Sequence, residues 1–254
     1  MRIGYALSGG GARGIAHLGI IKALEENEIY PDIIAGTSAG SIIGAFYAHG
    51  YPPDEILKII AQIKLYKIFK PAFNLDGLIS LEKSSDFFHQ YFPEDTFASL
   101  KIPLFTAAVN IRSGKIRYFS SGKLIRTIMA SSAIPVIFNP IKIDGDMYID
   151  GGVLNNMPVE PLLGNCDRII GFHCNPVDLD FTYRKLKNLV ERALLLSVNI
   201  NVGQSKQHCD MFFEPAELKK FGAFDFDKAK EIFAIGYNYA KKELPKMLKQ
   251  ARER

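Results

Sequence analysis

Ile33-Ile34-Ala35-Gly36-Thr37-Ser38-Ala39-Gly40-Ser41-Ile42-Ile43-Gly44-Ala45-Phe46 is the stretch on which the reading of this chain turns. Its opening is apolar and β-branched, which predicts a strand over 32–36. Ile42, Ile43, Ala45, Phe46 and Ala48 then recur at helical spacing, up to a stop near Gly50-Tyr51-Pro52-Pro53. Between the two lies Gly36-Thr37-Ser38-Ala39-Gly40, a Gly-x-Ser-x-Gly turn in the strand-to-helix setting that a nucleophile elbow requires. In so tight a turn, a side chain at Gly36 or Gly40 would collide with the neighbouring strand or helix. The serine hydroxyl is thereby pushed out at the carboxyl end of a strand and at a helix N-terminus, where free N–H groups favour developing negative charge.

Upstream of the elbow, Ile3 to Ser8 predicts a first strand, followed by Gly9-Gly10-Gly11-Ala12-Arg13-Gly14 and a helix from about Ile15 to Asn27. Gly19 inside that helix costs about 1 kcal/mol against alanine. Gly9-x-Gly11-x-x-Gly14 fits two chemistries. It matches the dinucleotide-binding fingerprint, but that site needs an acid at the end of the second strand, and the acid here, Asp32, stands at the strand's beginning. The other chemistry is an oxyanion hole, in which consecutive glycines turn backbone N–H groups toward one point. Arg13 would hold the loop's shape or add to its positive field.

Downstream, Asp54 is placed to cap a helix to about Ile63. A helix is predicted from about Leu81 to Tyr91, strands at 103–110 and 115–119, and a helix at 123–131. Two short strands around Asp144-Gly145-Asp146 follow, the second ending at Ile149 before Asp150-Gly151-Gly152 and a loop with Asn155, Asn156 and Pro158. A strand at 168–172, a long helix at 183–200, a strand at 210–213 and a C-terminal helix from about 227 complete the alternation. Strands alternating with helices predict an α/β fold, a mostly parallel sheet covered on both faces. Residues 1–254 show no repeat, linker or boundary and are expected to form a single domain.

A serine needs a proton acceptor. Chain order admits Ser38, Asp150 and His173 as a triad, the histidine following strand 168–172. It equally admits Asp150 taking the proton directly, brought close by its flanking glycines and made more basic by partial burial. His17, inside the first helix among apolar neighbours, reads as structural. His49, His89 and His208 have no supporting pattern.

Four segments together resemble the signature blocks of the patatin-like phospholipases: Gly9-Gly10-Gly11-Ala12-Arg13-Gly14, Gly36-Thr37-Ser38-Ala39-Gly40, Ala130-Ser131-Ser132-Ala133-Ile134-Pro135 and Asp150-Gly151-Gly152. They stand in that family's order and cover about residues 3–160. The resemblance implies a three-layer α/β/α fold and a Ser–Asp dyad, with Ser38 as nucleophile, Asp150 as base and Gly10 and Gly11 as oxyanion donors. Gly9, Arg13 and Gly14 support that loop, and His173 becomes dispensable. It implies hydrolysis of lipid acyl esters through an acyl-enzyme, with no metal and no cofactor; acyl transfer to an alcohol would use the same chemistry. The reading from a different class is a nucleotide- or lipid-binding protein without hydrolase activity.

The net charge of +4 is local. Residues 241–254 hold six basic side chains against two glutamates and account for all of it, too little for a nucleic-acid surface. Three cysteines at irregular spacing give neither a disulfide framework nor a zinc pattern, so a reducing, cytoplasmic setting is expected. Neither a signal peptide nor a membrane-spanning stretch is evident in the sequence. Segment 64–73 mixes Lys64, Lys67 and Lys70 with large apolar residues, which suits a lid or a peripheral membrane contact within 64–100. In the tail, Leu244, Met247, Leu248 and Ala251 form an apolar stripe that Pro245 is expected to kink or interrupt.

Overall fold

The computed structural model describes residues 1–62, 85–182 and 186–252. Its elements in chain order are β1 (Ile3–Leu7), a 3₁₀ turn (Gly11–Ile15), α1 (Ala16–Glu25), β2 (Ile33–Thr37), α2 (Ala39–His49), α3 (Pro53–Gln62), α4 (Ser85–His89), β3 (Leu104–Asn110), β4 (Lys115–Phe119), α5 (Leu124–Ser131), β5 (Ile141–Ile143), β6 (Asp146–Asp150), β7 (Arg168–Phe172), α6 (Leu186–Asn199), α7 (Val202–Gln207), β8 (Met211–Phe213) and α8 (Ala229–Arg252). The segment expected to serve as a lid, 64–73, lies outside the described residues, as do 81–84 of the helix predicted from Leu81. Asp54 sits inside the first turn of α3 rather than capping it. Pro53 opens the helix, where its missing N–H costs nothing, and Asp54 pairs with Lys22.

The strands form one mixed sheet in the order β5-β6-β3-β2-β1-β7-β8, with β4 paired to β3. β1, β2, β3, β7 and β8 run parallel, and the pairs β3–β4, β3–β6 and β5–β6 are antiparallel. Period-two alternation divides the strand residues between two unequal faces. Tyr5, Leu7, Ile34, Ile170 and Phe172 point into the larger core beneath α1, α2 and α8. Ala6, Ile33, Ala35 and Ile169 point into a smaller one closed by Met157, Val159 and Leu162. Because the central strands are buried on both faces, they read as continuous apolar runs.

Helices α1 and α8 cross backbone to backbone. A Cβ at Gly19 would lie 2.1 Å from the Phe233 carbonyl oxygen and 2.6 Å from the Tyr237 nitrogen. One at Gly236 would lie 2.1 Å from the Ala16 oxygen. Gly19, a liability for α1 as an isolated helix, is what lets α8 seat. α8 also runs through Pro245 without interruption, against expectation. Packing decides this: Ala240 and Leu244, just before Pro245, are fully buried, and Met247 and Leu248, just after it, pack against the same core. The apolar stripe of the tail is thus spent on the fold.

Gly19→Ala tests the crossing. Helix propensity alone favours alanine by about 1 kcal/mol. The clash falls on backbone atoms that no rotamer can relieve, so the net effect in urea unfolding is expected to be destabilisation by about 1–3 kcal/mol.

Candidate active site

Ser38 joins β2 to α2 in a conformation rare for a side-chain-bearing residue, φ 53° and ψ −121°. Such backbone costs about 1–3 kcal/mol and persists only where its surroundings over-determine it. The close approaches anticipated at the flanking glycines are present. A Cβ at Gly36 would sit 2.6 Å from the Gly40 carbonyl, and one at Gly40 would sit 2.3 Å from the Leu7 oxygen of β1. The Ser38 amide donates to Ser131 Oγ at 2.8 Å, and Thr37 Oγ1 donates to the Asn155 carbonyl at 3.0 Å.

Strand register carries Asp150 to the elbow. Thr37 pairs with Ala107 across β2–β3, and Ala108 pairs with Asp150 across β3–β6. Because β6 runs against β3, its last residue finishes level with the end of β2. The Asp150 amide donates to the Ala133 carbonyl at 3.0 Å, so the block Ala130–Pro135 holds Ser38 at one end and Asp150 at the other. The Asp150 carboxylate accepts from the Gly152 amide at 2.7 Å, and the Ser38 hydroxyl lies near enough to favour its charged form. Both residues are nearly closed off, Ser38 at 7% and Asp150 at 6% exposure. Burial pushes the Asp150 carboxyl up to about 6, against the opposing pull of the Gly152 amide and the Ser38 hydroxyl.

The glycine loop lies beside this pair. A Cβ at Gly9 would meet Ser38 Cβ at 3.0 Å, and one at Gly14 would meet Ala39 Cβ at 2.7 Å. Gly9 N–H donates to the Asn156 carbonyl and Ala12 N–H to that of Ala223, while among the described residues the amides of Gly10 and Gly11 between them donate to no group. Arg13 is half-buried near Cys174. Burial pushes that thiol up to about 11, with the Ser8 hydroxyl and the Arg13 charge acting weakly the other way.

His173 is buried at the end of β7 with both ring nitrogens engaged, Nδ1 with Glu214 Oε1 at 2.6 Å and Nε2 with Asn199 Oδ1 at 2.8 Å. The imidazole is therefore not joined to Asp150, and the triad that chain order admits does not assemble. The hydrogen bond with His173 holds Glu214 below the usual carboxylate range. His17 is structural, as expected. It is fully buried, bonded to the Ser8 carbonyl at 2.9 Å and held neutral by desolvation, its pKa lowered to about 4. Asp32 accepts from the Ile3 amide at the opposite end of β1 and β2, so no acid stands where a ribose would lie. Among the described residues, no group of three or more His, Cys, Asp or Glu side chains is placed to hold a metal ion.

The patatin-like phospholipase family profile matches residues 5–163, which contain the glycine loop, Ser38 and Asp150. The chain belongs to the patatin-like phospholipase family. An uncharacterised NTE family protein of Mycobacterium tuberculosis is 34% identical over 178 residues, covering 68% of this chain and 49% of the relative. Lysophospholipase nte1 of Aspergillus niger is 28% identical over 283 residues, covering 98% of this chain and 18% of the relative. The chain thus spans half or less of the curated relatives it matches. VipD from Legionella pneumophila shares the patatin-like fold at a TM-score of 0.55 and 15% identity, over 97% of this chain and 67% of that one.

Asn175 forms part of this arrangement without having been singled out by the sequence, and Ser131 and Asn156, quoted there within a signature block and a loop, were given no role of their own. A parallel sheet gathers the carboxyl ends of β1, β2 and β7 at one edge, and a polar residue just past such an end, as Asn175 is past β7, was the available signal.

Two substitutions test the geometry. Ser131→Ala leaves the buried Ser38 amide without an acceptor. It is expected to lower the melting temperature by several degrees and to slow fluorophosphonate labelling of Ser38 about tenfold. Asp150→Asn is expected to stabilise. The carboxyl titrates near 3.8 when unfolded and near 6 when folded, so its charging opposes folding as pH rises through that interval. The gain should reach at most about 3 kcal/mol at neutral pH and vanish below about pH 4 in melts across pH.

Proposed function

We propose that residues 1–254 form one patatin-like domain that hydrolyses lipid acyl esters, with Ser38 as nucleophile and Asp150 as general base. The observation that carries this is a buried serine on a strained elbow and a buried carboxyl that strand register brings to the same sheet edge, beside two glycine amides that donate to no group among the described residues. Ser38 Oγ attacks the ester carbonyl carbon while Asp150 accepts its proton. The carbonyl oxygen becomes an oxyanion that takes hydrogen bonds from Gly10 N–H and Gly11 N–H. Collapse breaks the ester C–O bond, and Asp150 returns the proton to the departing alcohol, leaving an acyl-serine. Water then attacks, Asp150 takes its proton, and the second collapse frees the fatty acid and restores the Ser38 hydroxyl. An alcohol in place of that water would give acyl transfer by the same steps.

A carboxylate with its pKa raised to about 6 is a stronger base than an exposed aspartate and is ionised at neutral pH. The substrate class rests on two supports. The Aspergillus relative bears the name lysophospholipase. In this chain, Val153 and Leu154, three and four positions past Asp150, are exposed apolar side chains suited to meet an acyl chain. No helix among the described residues is long and apolar enough to cross a membrane. We take the domain to meet its lipid from the aqueous side as a peripheral, cytoplasmic protein.

Hydrolysis of short- and long-chain esters alongside phospholipids and lysophospholipids tests the reading. Ser38→Ala and Asp150→Asn should each lose about 10³-fold or more in kcat/KM. Ser38→Ala should also escape fluorophosphonate labelling. His173→Ala, where folded, should keep most activity. A folded His173→Ala protein as inert as Ser38→Ala would give the base's role to the imidazole. In the wild type, kcat/KM should fall about tenfold per pH unit below about 6, as Asp150 becomes protonated.

A further inference from the structure

We infer that Asn175 is a positioning residue: assisted by Asn156, it clamps the Gly9–Gly10 peptide so that the Gly10 N–H is aimed at the oxyanion. This rests on the hydrolase reading above and adds the device that sets its oxyanion hole.

Three donors converge on one oxygen. The Gly9 carbonyl accepts from Asn175 Nδ2 at 2.6 Å, Asn156 Nδ2 at 3.3 Å and Cys174 Sγ at 3.3 Å. A carbonyl oxygen has two lone pairs and ordinarily serves one or two donors. The amide of the same residue is held as well, donating to the Asn156 carbonyl at 3.0 Å. The Gly9 C=O and the Gly10 N–H belong to one planar trans unit and point in opposite directions. Anchoring the oxygen on Asn175, Asn156 and Cys174 therefore directs the N–H away from those groups, and Ser38 lies against the same loop, its Cβ 3.0 Å from a Cβ built on Gly9. Donors on the oxygen also polarise the amide, which makes its N–H a better donor to a developing negative charge. Gly10 itself is hemmed in, since a Cβ there would be 2.3 Å from Cys174 Sγ and 2.9 Å from Asn175 Oδ1.

The clamp is in turn held from behind. Asn175 is 1% exposed, and its backbone carbonyl accepts from Asn199 Nδ2 at 3.0 Å. Asn199 Oδ1 bonds His173, and His173 bonds Glu214. This line of contacts gives the buried histidine a place in the architecture without a place in proton transfer. Its loss acts through two intervening residues, whereas loss of the Asn175 amide acts directly on the Gly9 oxygen.

The test compares wild type, Asn175→Ala and Asn175→Asp, each checked for folding by thermal melting. Steady-state ester hydrolysis is read with the binding of a fatty acid, a ground-state ligand, and of a long-chain trifluoromethyl ketone, which forms a tetrahedral oxyanion on Ser38. Asn175→Ala is expected to lose about tenfold or more in kcat and in ketone affinity, with KM and fatty-acid affinity near wild type. Asn175→Asp keeps the shape and regains a donor only when protonated. Its activity relative to wild type is expected to climb as pH falls from about 9 to about 5. Folded Asn175→Ala with wild-type kcat and ketone affinity overturns the clamp. Should that variant not fold, an Asn175→Asp ratio that stays flat over the same pH range does so instead. In both cases an active, labelled wild type leaves the hydrolase reading standing. A wild type that neither hydrolyses esters nor takes a fluorophosphonate removes that reading, and the clamp with it.

Discussion

Ser38 is held where a serine does not go by itself. Its left-handed φ is tolerated because each neighbour removes an alternative: Gly40 lies on β1, Gly36 lies under the first turn of α2, and Ser131 takes the one amide that the turn would strand. In the proposed hydrolase the strain and the function are one arrangement. A relaxed backbone would withdraw the hydroxyl from the sheet edge, and with it the contact to Asp150. The rest of the site can be understood as the set of attachments that keep this turn from relaxing.

Those attachments come from distant parts of the chain, and they meet because of how the sheet is wound. β1, β2 and β7 run parallel and deliver the glycine loop, the elbow and the His173–Asn175 segment to one edge. β6 alone among the strands bearing these groups enters against the others. That reversal makes its final residue, Asp150, land beside the elbow rather than at the far end of the sheet. The loop after Asp150 then stitches the site together, Asn155 to Thr37 and Asn156 to Gly9.

In the proposed mechanism, burial of Asp150 sets stability against chemistry. Desolvation makes the carboxylate costly to hold and, for the same reason, more basic. His173 shows the contrasting solution. It too is buried, but Glu214 and Asn199 occupy both ring nitrogens, and a histidine so engaged has no lone pair to offer a substrate or an aspartate.

Local pattern was sufficient for much of this protein. Apolar runs, glycines and capping residues are short-range signals, so the alternation of strands and helices, the elbow at Ser38 and the glycine loop could all be read from neighbouring residues. The four blocks in order named Asp150 beside Ser38 as well. What local pattern misjudged were places where packing overrules propensity. Gly19 weakens α1 by itself and is required by α8, and Pro245 sits inside a helix anchored by Ala240 and Leu244. The choice between an aspartate acting alone and one relayed through His173 stayed open in the residues themselves. It depends on which groups the His173 ring faces, and those lie 26 and 41 positions away along the chain. The roles of Ser131, Asn156 and Asn175 were hidden for the same reason. Their significance lies in a hydrogen bond to a backbone atom of a remote loop, which a linear sequence does not encode and only the closed sheet creates.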